Sequence, residues 1–340
     1  MTPPAKGSGA TLDTVARLAG VSRATASRVL SGDARVSDRA REAVRSAAAE
    51  LSYVPQQAAR SLATRRSDSL AFVVSESGDR FFADPFFANV LRGAQAAAAE
   101  RRRQLFFLVV ANDDDRARLE EYAAGGHLDG AMFLSVHGDD PMPARVQRLG
   151  IPVVLAGRPP SRRVALPYVT PDNVNGGRLA AQVLLARGCR RPVTISGPAD
   201  MTATSDRLLG FRSELADNGI DLPAERVAAG DFSLPSGYRA MADLLDRASD
   251  IDAVFAANDL MAVGALRALR ERGLRVPDDV AVVGYDDVPL AAESDPPLTT
   301  VRQPLEAMGR HMTRMLIDLA DGGDATSVTL ATELVTRDSA

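Results

Sequence analysis

Apolar residues at Leu12, Val15, Ala16 and Ala19 recur at three- and four-residue intervals, which predicts a short helix. Gly20 suits the left-handed residue that ends such a helix, Val21 can plug the core, and Ser22 can cap a second helix. In that second helix Ala26, Val29 and Leu30 face inward, leaving Arg23, Ala24, Ser27 and Arg28 outside. Gly32 ends it, and Ser37 caps a third helix with Ala40, Val44, Ala47 and Leu51 inward. Tyr53-Val54-Pro55 stops the third helix. Residues 56–63 are good helix formers with one large apolar group, Leu62, and eight residues are too few for a stable isolated helix. A partner copy or DNA must order them. Beyond residue 66 the period changes. Apolar runs at 70–74, 105–110, 131–134, 153–156, 193–195, 253–256 and 280–283 alternate with helical stretches that include 88–100, 176–187 and 260–272. That alternation predicts a doubly wound α/β fold with parallel sheets, and residues 67–340 suffice for two such units.

Composition removes several function classes. The 340 residues are 46% hydrophobic and 25% charged, as expected of a soluble globular protein of at least two domains. No apolar run approaches the roughly 20 residues that span a bilayer, so no membrane partner is expected. Residues 1–10 are Pro/Gly/Ser-rich, read as a disordered leader, and lack the apolar stretch of a secretory signal. Cys189 is the single cysteine, which excludes an intrachain disulfide framework and fits a reducing cytoplasm. With only His127, His137 and His311 beside it, no Cys-rich structural zinc site can form. The Asp113–Asp115 and Asp139–Asp140 runs are read as solvated loops. The only lysine is Lys6, so there is no phosphate-cradling Gly-Lys-Ser/Thr loop and no buried Schiff-base lysine. Gly-x-Gly-x-x-Gly and Gly-x-Ser-x-Gly are also absent. No catalytic residue, cofactor or metal is assigned.

Charge is divided along the chain. Residues 1–66 hold eleven Lys/Arg against five Asp/Glu, whereas residues 67–340 hold 29 against 39. A small basic module on a large acidic one suggests that only the first meets a polyanion. Two short helices joined through Gly-Val-Ser, the second carrying arginines near its start, make a helix-turn-helix. A recognition helix enters the major groove N-terminus first, so Arg23 and Ala24 lead and Arg28 follows one turn behind. Arginine can grip guanine O6 and N7, Ala24 can touch a thymine methyl, and Ser22, Thr25 and Ser27 suit phosphates.

These motifs resemble the lactose/galactose repressor (LacI/GalR) family. The resemblance runs through Thr11-Leu12-Asp13-Thr14-Val15-Ala16, Gly20-Val21-Ser22, Thr25-Ala26-Ser27-Arg28-Val29-Leu30 and Leu51-Ser52-Tyr53-Val54-Pro55. It continues in Ala59-Arg60-Ser61-Leu62-Ala63, Asn258-Asp259-Leu260-Met261-Ala262, Gly284-Tyr285-Asp286-Asp287 and Pro297-Leu298-Thr299-Thr300-Val301. It implies a helix-turn-helix DNA-binding headpiece (11–55), a hinge helix and linker (56–66), and a two-lobed periplasmic-binding-protein-like domain (67–340) that binds effector and dimerises. Lobe one is expected at about 67–168 and 301–326, and lobe two at about 169–296 and 327–340. By the same resemblance, paired hinges enter the minor groove, Leu62 wedges into the central base step, and Ala59 beside Ala58 allows the close approach.

The resemblance also places ligand-lining positions at Phe86, Phe87, Arg158, Arg207, Phe232, Asn258 and Asp286, in the cleft where C-terminal strand ends meet. Aromatic faces with Arg, Asn and Asp suit a polyhydroxylated ligand. Two departures narrow the ligand. Met201 and Ala203 stand where the purine-responsive branch reads a base, which disfavours a purine, and Gly157 stands where sugar-responsive relatives often carry an acid. A stripe of Met308, Met312, Met315 and Leu316 is either core or dimer face. No leucine heptads follow it, and a homodimer matches two-fold half-sites. The expected function is a transcriptional regulator, a repressor acting in the cytoplasm on double-stranded operator DNA under control of a sugar-like effector. The alternatives are a non-sugar co-repressor, a sugar-binding protein or a sugar-modifying enzyme. Leu62→Ala should weaken specific DNA binding in a filter or gel-shift titration while fold and ligand binding persist, and unchanged operator affinity would reject the wedge assignment.

Overall fold

The computed structural model describes residues 10–30, 35–53, 66–160 and 165–340. The chain divides into two compact units, Met1–Ser67 and Asp68–Ala340. In the first, α1 (Leu12–Leu18), α2 (Arg23–Leu30) and α3 (Asp38–Glu50) follow the expected pattern. Thr11 and Thr14 form a capping box at the start of α1, and Gly20 takes φ +65° in the turn that follows. Val15, Ala16, Ala26, Val29, Val44, Ala47 and Ala48 are the small buried core. The expected leader, up to residue 9, and the hinge residues 54–65, with Ala59 and Leu62, lie outside the described residues.

The second unit contains two six-stranded sheets. Its first half runs β1 (Ser69–Val74), α4 (Gly78–Ala83), α5 (Pro85–Glu100), β2 (Gln104–Val109), α6 (Asp113–Ala124), β3 (Gly130–Leu134), α7 (Met142–Arg148), β4 (Val153–Ala156) and β5 (Tyr168–Pro171). There follow α8 (Asn173–Ala186), β6 (Pro192–Ser196), α9 (Thr202–Asp217), β7 (Val227–Ala229), α10 (Leu234–Arg247), β8 (Ala253–Ala256), α11 (Asp259–Glu271), β9 (Ala281–Asp286) and α12 (Pro289–Glu293). The chain closes with β10 (Thr299–Arg302), α13 (Leu305–Ala320), β11 (Val328–Leu330) and β12 (Glu333–Val335). The strand orders are β11-β5-β4-β3-β1-β2, all parallel, and β12-β10-β9-β8-β6-β7, parallel except for β12.

Each sheet buries both faces, which is why its inner strands read as continuous apolar runs. Leu70, Phe72 and Val74 pack under α5 and α13, while Ala71 and Val73 pack with Leu119, Ala123, Met142 and Val146 of α6 and α7. The Met308, Met312, Met315 and Leu316 stripe is buried in the former cluster, so it is core. Asp113–Asp115, expected in a loop, instead form the first turn of α6 behind the Asn112 cap. Carboxylates there complement the helix N-terminus.

The chain passes between sheets after β5, after β10 and between β11 and β12. These crossings fall a few residues beyond the expected lobe limits, because β5 still pairs with β4 and β11 with β5.

Three helix pairs approach closely through reciprocal glycines. A Cβ on Gly93 of α5 would lie 1.9 Å from the Glu306 carbonyl, and one on Gly309 of α13 would lie 2.0 Å from that of Val90. Gly237 and Gly264 stand in the same relation between α10 and α11. Between α8 and α9, a Cβ on Gly177 would meet the Arg207 carbonyl at 2.1 Å, and one on Gly210 would meet that of Val174 at 1.9 Å. Because Arg207 lies at that contact, Gly177→Ala should cost roughly 1–3 kcal/mol in denaturant unfolding and also weaken ligand binding at Arg207. An unchanged midpoint would mean that the helices separate without strain.

Candidate functional site

The outer face of α2 carries Arg23, Ala24, Ser27 and Arg28, all exposed, while Ala26 and Val29 are buried beneath them. Ser22 Oγ accepts from the Thr25 amide at 3.1 Å and pairs with the Thr25 hydroxyl at 2.9 Å, so both residues fix the helix start. Arg23 Nε lies 3.5 Å from Asp13 Oδ1 of α1. Both side chains are well exposed, so solvent screens that pair and leaves the guanidinium available to an anion. The arrangement is a helix-turn-helix whose second helix presents two arginines and a small apolar residue on one side.

In the second unit, loops from the C-terminal ends of both sheets face one another. They enclose a cavity of ≈ 70 Å³ lined by Arg80, Asp84, Phe86, Phe87, Ser135, Met201, Ala203, Arg207, Phe232, Asn258 and Asp286. Six of the seven expected ligand positions therefore converge. Arg158 does not line this cavity; it stands at the rim, where Nη2 pairs with Asp206 Oδ1 at 2.7 Å and its carbonyl accepts from Thr202 Oγ1 at 2.6 Å. Phe87 belongs equally to the lobe-one core, edge-on to Phe86 with centroids 5.2 Å apart. Asn258 caps α11 by accepting from the Met261 amide and donates to the Phe232 carbonyl, both at 2.9 Å.

Arg207 is the most constrained polar group of the site. Its Nε donates to Asn173 Oδ1 at 2.9 Å, its Nη1 to the Ala257 carbonyl at 2.5 Å, and its guanidinium lies 3.8 Å from the Tyr285 ring centroid. Asp286 Oδ1 lies 3.8 Å from Nη1. Burial pushes the Asp286 carboxyl up to about 7, because the attraction of Arg207 does not repay the lost hydration and nearby Asp84 adds repulsion. Gln303 donates to the same carboxylate from the crossover after β10. Asp259 behind it is also held well above the carboxylate range by burial and by Asp286, but it bonds Thr300 at 2.5 Å and the Val288 amide at 2.9 Å. Asp259 is a structural tie within lobe two.

Several cavity and rim groups escape sequence reasoning. Asp84 is the N-cap of α5, and burial raises its carboxyl against the Phe86 amide and Arg80. Arg80 crosses the cleft, its Nη1 donating to the Asp231 carbonyl at 2.7 Å. His137 also crosses, sitting 3.2 Å from Glu76 and 3.1 Å from Asp200. The Glu76 bond holds that imidazole above its ordinary value against the opposing effect of burial, and Asp200 adds to the rise. Neither Arg80 nor His137 stands in a periodic pattern or motif.

The two units have separate counterparts among known proteins. A model of bacterial regulatory proteins of the lacI family matches residues 11–56, and one of the periplasmic binding protein-like domain matches residues 181–340. The HTH-type transcriptional regulator CelR of Thermobifida fusca is 48% identical over 334 residues, covering 97% of this chain and 98% of its own. The chain belongs to the lacI family of bacterial regulatory proteins. Within the family, the ribose operon repressor of Escherichia coli (strain K12) is 34% identical over 310 residues, covering 91% of this chain and 92% of its own. A solved complex of the transcriptional regulator CelR with cellobiose superposes with a TM-score of 0.78 at 46% identity, over 97% of this chain and 100% of that one. The lac repressor dimer bound to operator and the anti-inducer ONPF gives 0.85 at 28% identity, over 98% and 99%.

For this lacI-family regulator the buried acid has a pH consequence. The folded-state value of Asp286 is raised from 3.8 to about 7, so the folded form binds the extra proton between those limits. Stability from this group is full below pH 3.8 and is lost as pH rises to about 7. The melting temperature of wild type minus that of Asp286→Asn should therefore fall across that window and stay flat above it. A difference that rises with pH would show that Arg207 dominates.

Proposed function

We propose that the chain is a transcriptional repressor that binds a two-fold operator as a dimer in the cytoplasm and is released by a β-linked glucose disaccharide in the inter-lobe cleft. The observation that carries this reading is the cavity itself: Arg80, Asp84, Arg207 and Asp286 stand beside the rings of Phe86 and Phe232, with loops of both lobes contributing. Paired hydroxyls of a sugar need bidentate partners such as guanidinium and carboxylate, and its C–H faces need flat apolar contact. Met201 and Ala203, at the positions where the purine-responsive branch reads a base, line one wall and offer no hydrogen-bonding side chain, which disfavours a purine. The near full-length similarity to CelR, whose solved complex holds cellobiose, supports the disaccharide class.

The cavity as it stands is far below the roughly 300 Å³ at which ligand sites begin, so admitting a disaccharide requires the lobes to part. Occupancy and lobe geometry are linked for that reason, and the hinge residues 56–66 transmit the change to the headpiece. The role is regulatory binding, without turnover of the sugar. Saturating cellobiose should lower operator affinity by roughly 5- to 150-fold in a fluorescence-anisotropy titration, the usual range of coupling between two sites. Equal operator affinity with and without the sugar would reject it as effector. Incubation with purified protein should return it chemically unchanged.

A further inference from the structure

We propose that Arg80 is a specificity-determining residue that reads one hydroxyl of the sugar through its Nε; the inference rests on the sugar-effector reading above. Arg80 sits in α4, where Ser77 caps the helix by accepting from the Arg80 amide at 3.2 Å. Its side chain is 15% exposed and lines the cavity. A guanidinium carries N–H donors on Nε, Nη1 and Nη2. Nη1 is spent on the Asp231 carbonyl across the cleft at 2.7 Å, and Nη2 on Asp84 Oδ2 at 3.3 Å. Nε is buried and has no hydrogen-bond partner, and the nearest carboxylate oxygen, Glu76 Oε1, is 3.8 Å away. That separation exceeds hydrogen-bond range.

A buried, charged N–H left unmade is costly, and a ligand that supplies an acceptor recovers the cost. Arg80 is unusual in the cavity because Nη1 and Nη2 each have a hydrogen-bond partner while Nε has none. Asp84 holds the plane of the fork from lobe one, the Asp231 carbonyl holds it from lobe two, and the Phe232 ring lies beneath it with its centroid 5.4 Å from the guanidinium carbon. The Asp84 contact lies within lobe one, so it keeps the Nε–H oriented when the lobes part to admit a ligand. Pre-oriented donors discriminate strongly against analogues that lack the matching oxygen, because loss of the partner leaves the donor buried and unpaired. Arg207, by contrast, has Nε and Nη1 engaged by Asn173 and Ala257.

The test is a cycle across protein and ligand. Cellobiose and the series of its mono-deoxy analogues are titrated by calorimetry into full-length wild type, Arg80→Ala and Arg80→Lys. In wild type, one deoxy analogue should bind at least tenfold more weakly than cellobiose; in Arg80→Ala that ratio should fall to near one while the ratios for the other analogues persist. Arg80→Lys keeps the charge but has no Nε–H in that place, so it should behave like the alanine variant. If all ratios are the same in wild type and Arg80→Ala, Arg80 touches no sugar hydroxyl and the assignment is overturned. A ratio restored in Arg80→Lys overturns it too, since charge alone then suffices. Failure of wild type to bind cellobiose or any deoxy analogue would instead defeat the sugar-effector reading, and this inference with it.

Discussion

A guanidinium buried at the meeting of two helices and two strand ends sets the geometry around it. Arg207 lies on α9, is 6% exposed, and is satisfied by Asn173 from the start of α8 and by the carbonyl that follows β8. Such a group is tolerated only where its donors are met, because an uncompensated buried charge would be strongly destabilising. Asn173, the Ala257 carbonyl, the Tyr285 ring and Asp286 must therefore hold their places for the lobe to fold. Gly177 and Gly210 serve the same end, since any side chain there would drive α9 off α8 and carry Arg207 with it. Ligand site and core packing are one constraint in this lobe. The raised pKa of Asp286 is the cost of burying a carboxyl there, which the attraction of Arg207 offsets only in part.

The rim of the cleft works differently. Arg80 to the Asp231 carbonyl, His137 to Asp200, Gly138 to the Asp200 carbonyl, and Arg158 to Asp206 join loops of opposite sheets. Most are half-exposed, so each is modest and reversible, as befits contacts that must break and reform. The buried polar network belongs mainly to lobe two, and the cross-cleft bonds lie at its edge.

What could be read in the sequence follows from what each element depends on. Seven apolar runs stand where strands occur; six are buried on both sheet faces, while the run at the edge strand β2 leaves Phe106 and Phe107 exposed. The short strands β5, β7, β10, β11 and β12 escaped notice because sequences such as Thr299-Thr300-Val301-Arg302 owe their extended form to pairing across the crossovers. Six of the seven residues that the family resemblance placed in the cleft line one cavity. Arg158, expected to line the same cleft, stands outside that cavity, held by Asp206 and Thr202 in a contact between segments 48 residues apart for the carboxylate. Arg80 and His137 act through partners in the other lobe, 151 and 63 residues away, and no local pattern encodes such distances.

The division of charge gives the two units different dependence on their surroundings. The basic headpiece exposes arginines, and any attraction they exert on a polyanion weakens as salt rises. The cleft buries its guanidinium and carboxylates, where screening ions reach them poorly. Effector binding is thus expected to survive conditions that dissociate DNA, and the two equilibria can be varied separately. Coupling between them requires that an effector interact unequally with the lobe arrangements, since a ligand indifferent to them shifts nothing however tightly it binds. A cavity of ≈ 70 Å³ meets that condition, because it cannot hold a disaccharide without being enlarged. For the disaccharide proposed above, that inequality is steric before it is chemical.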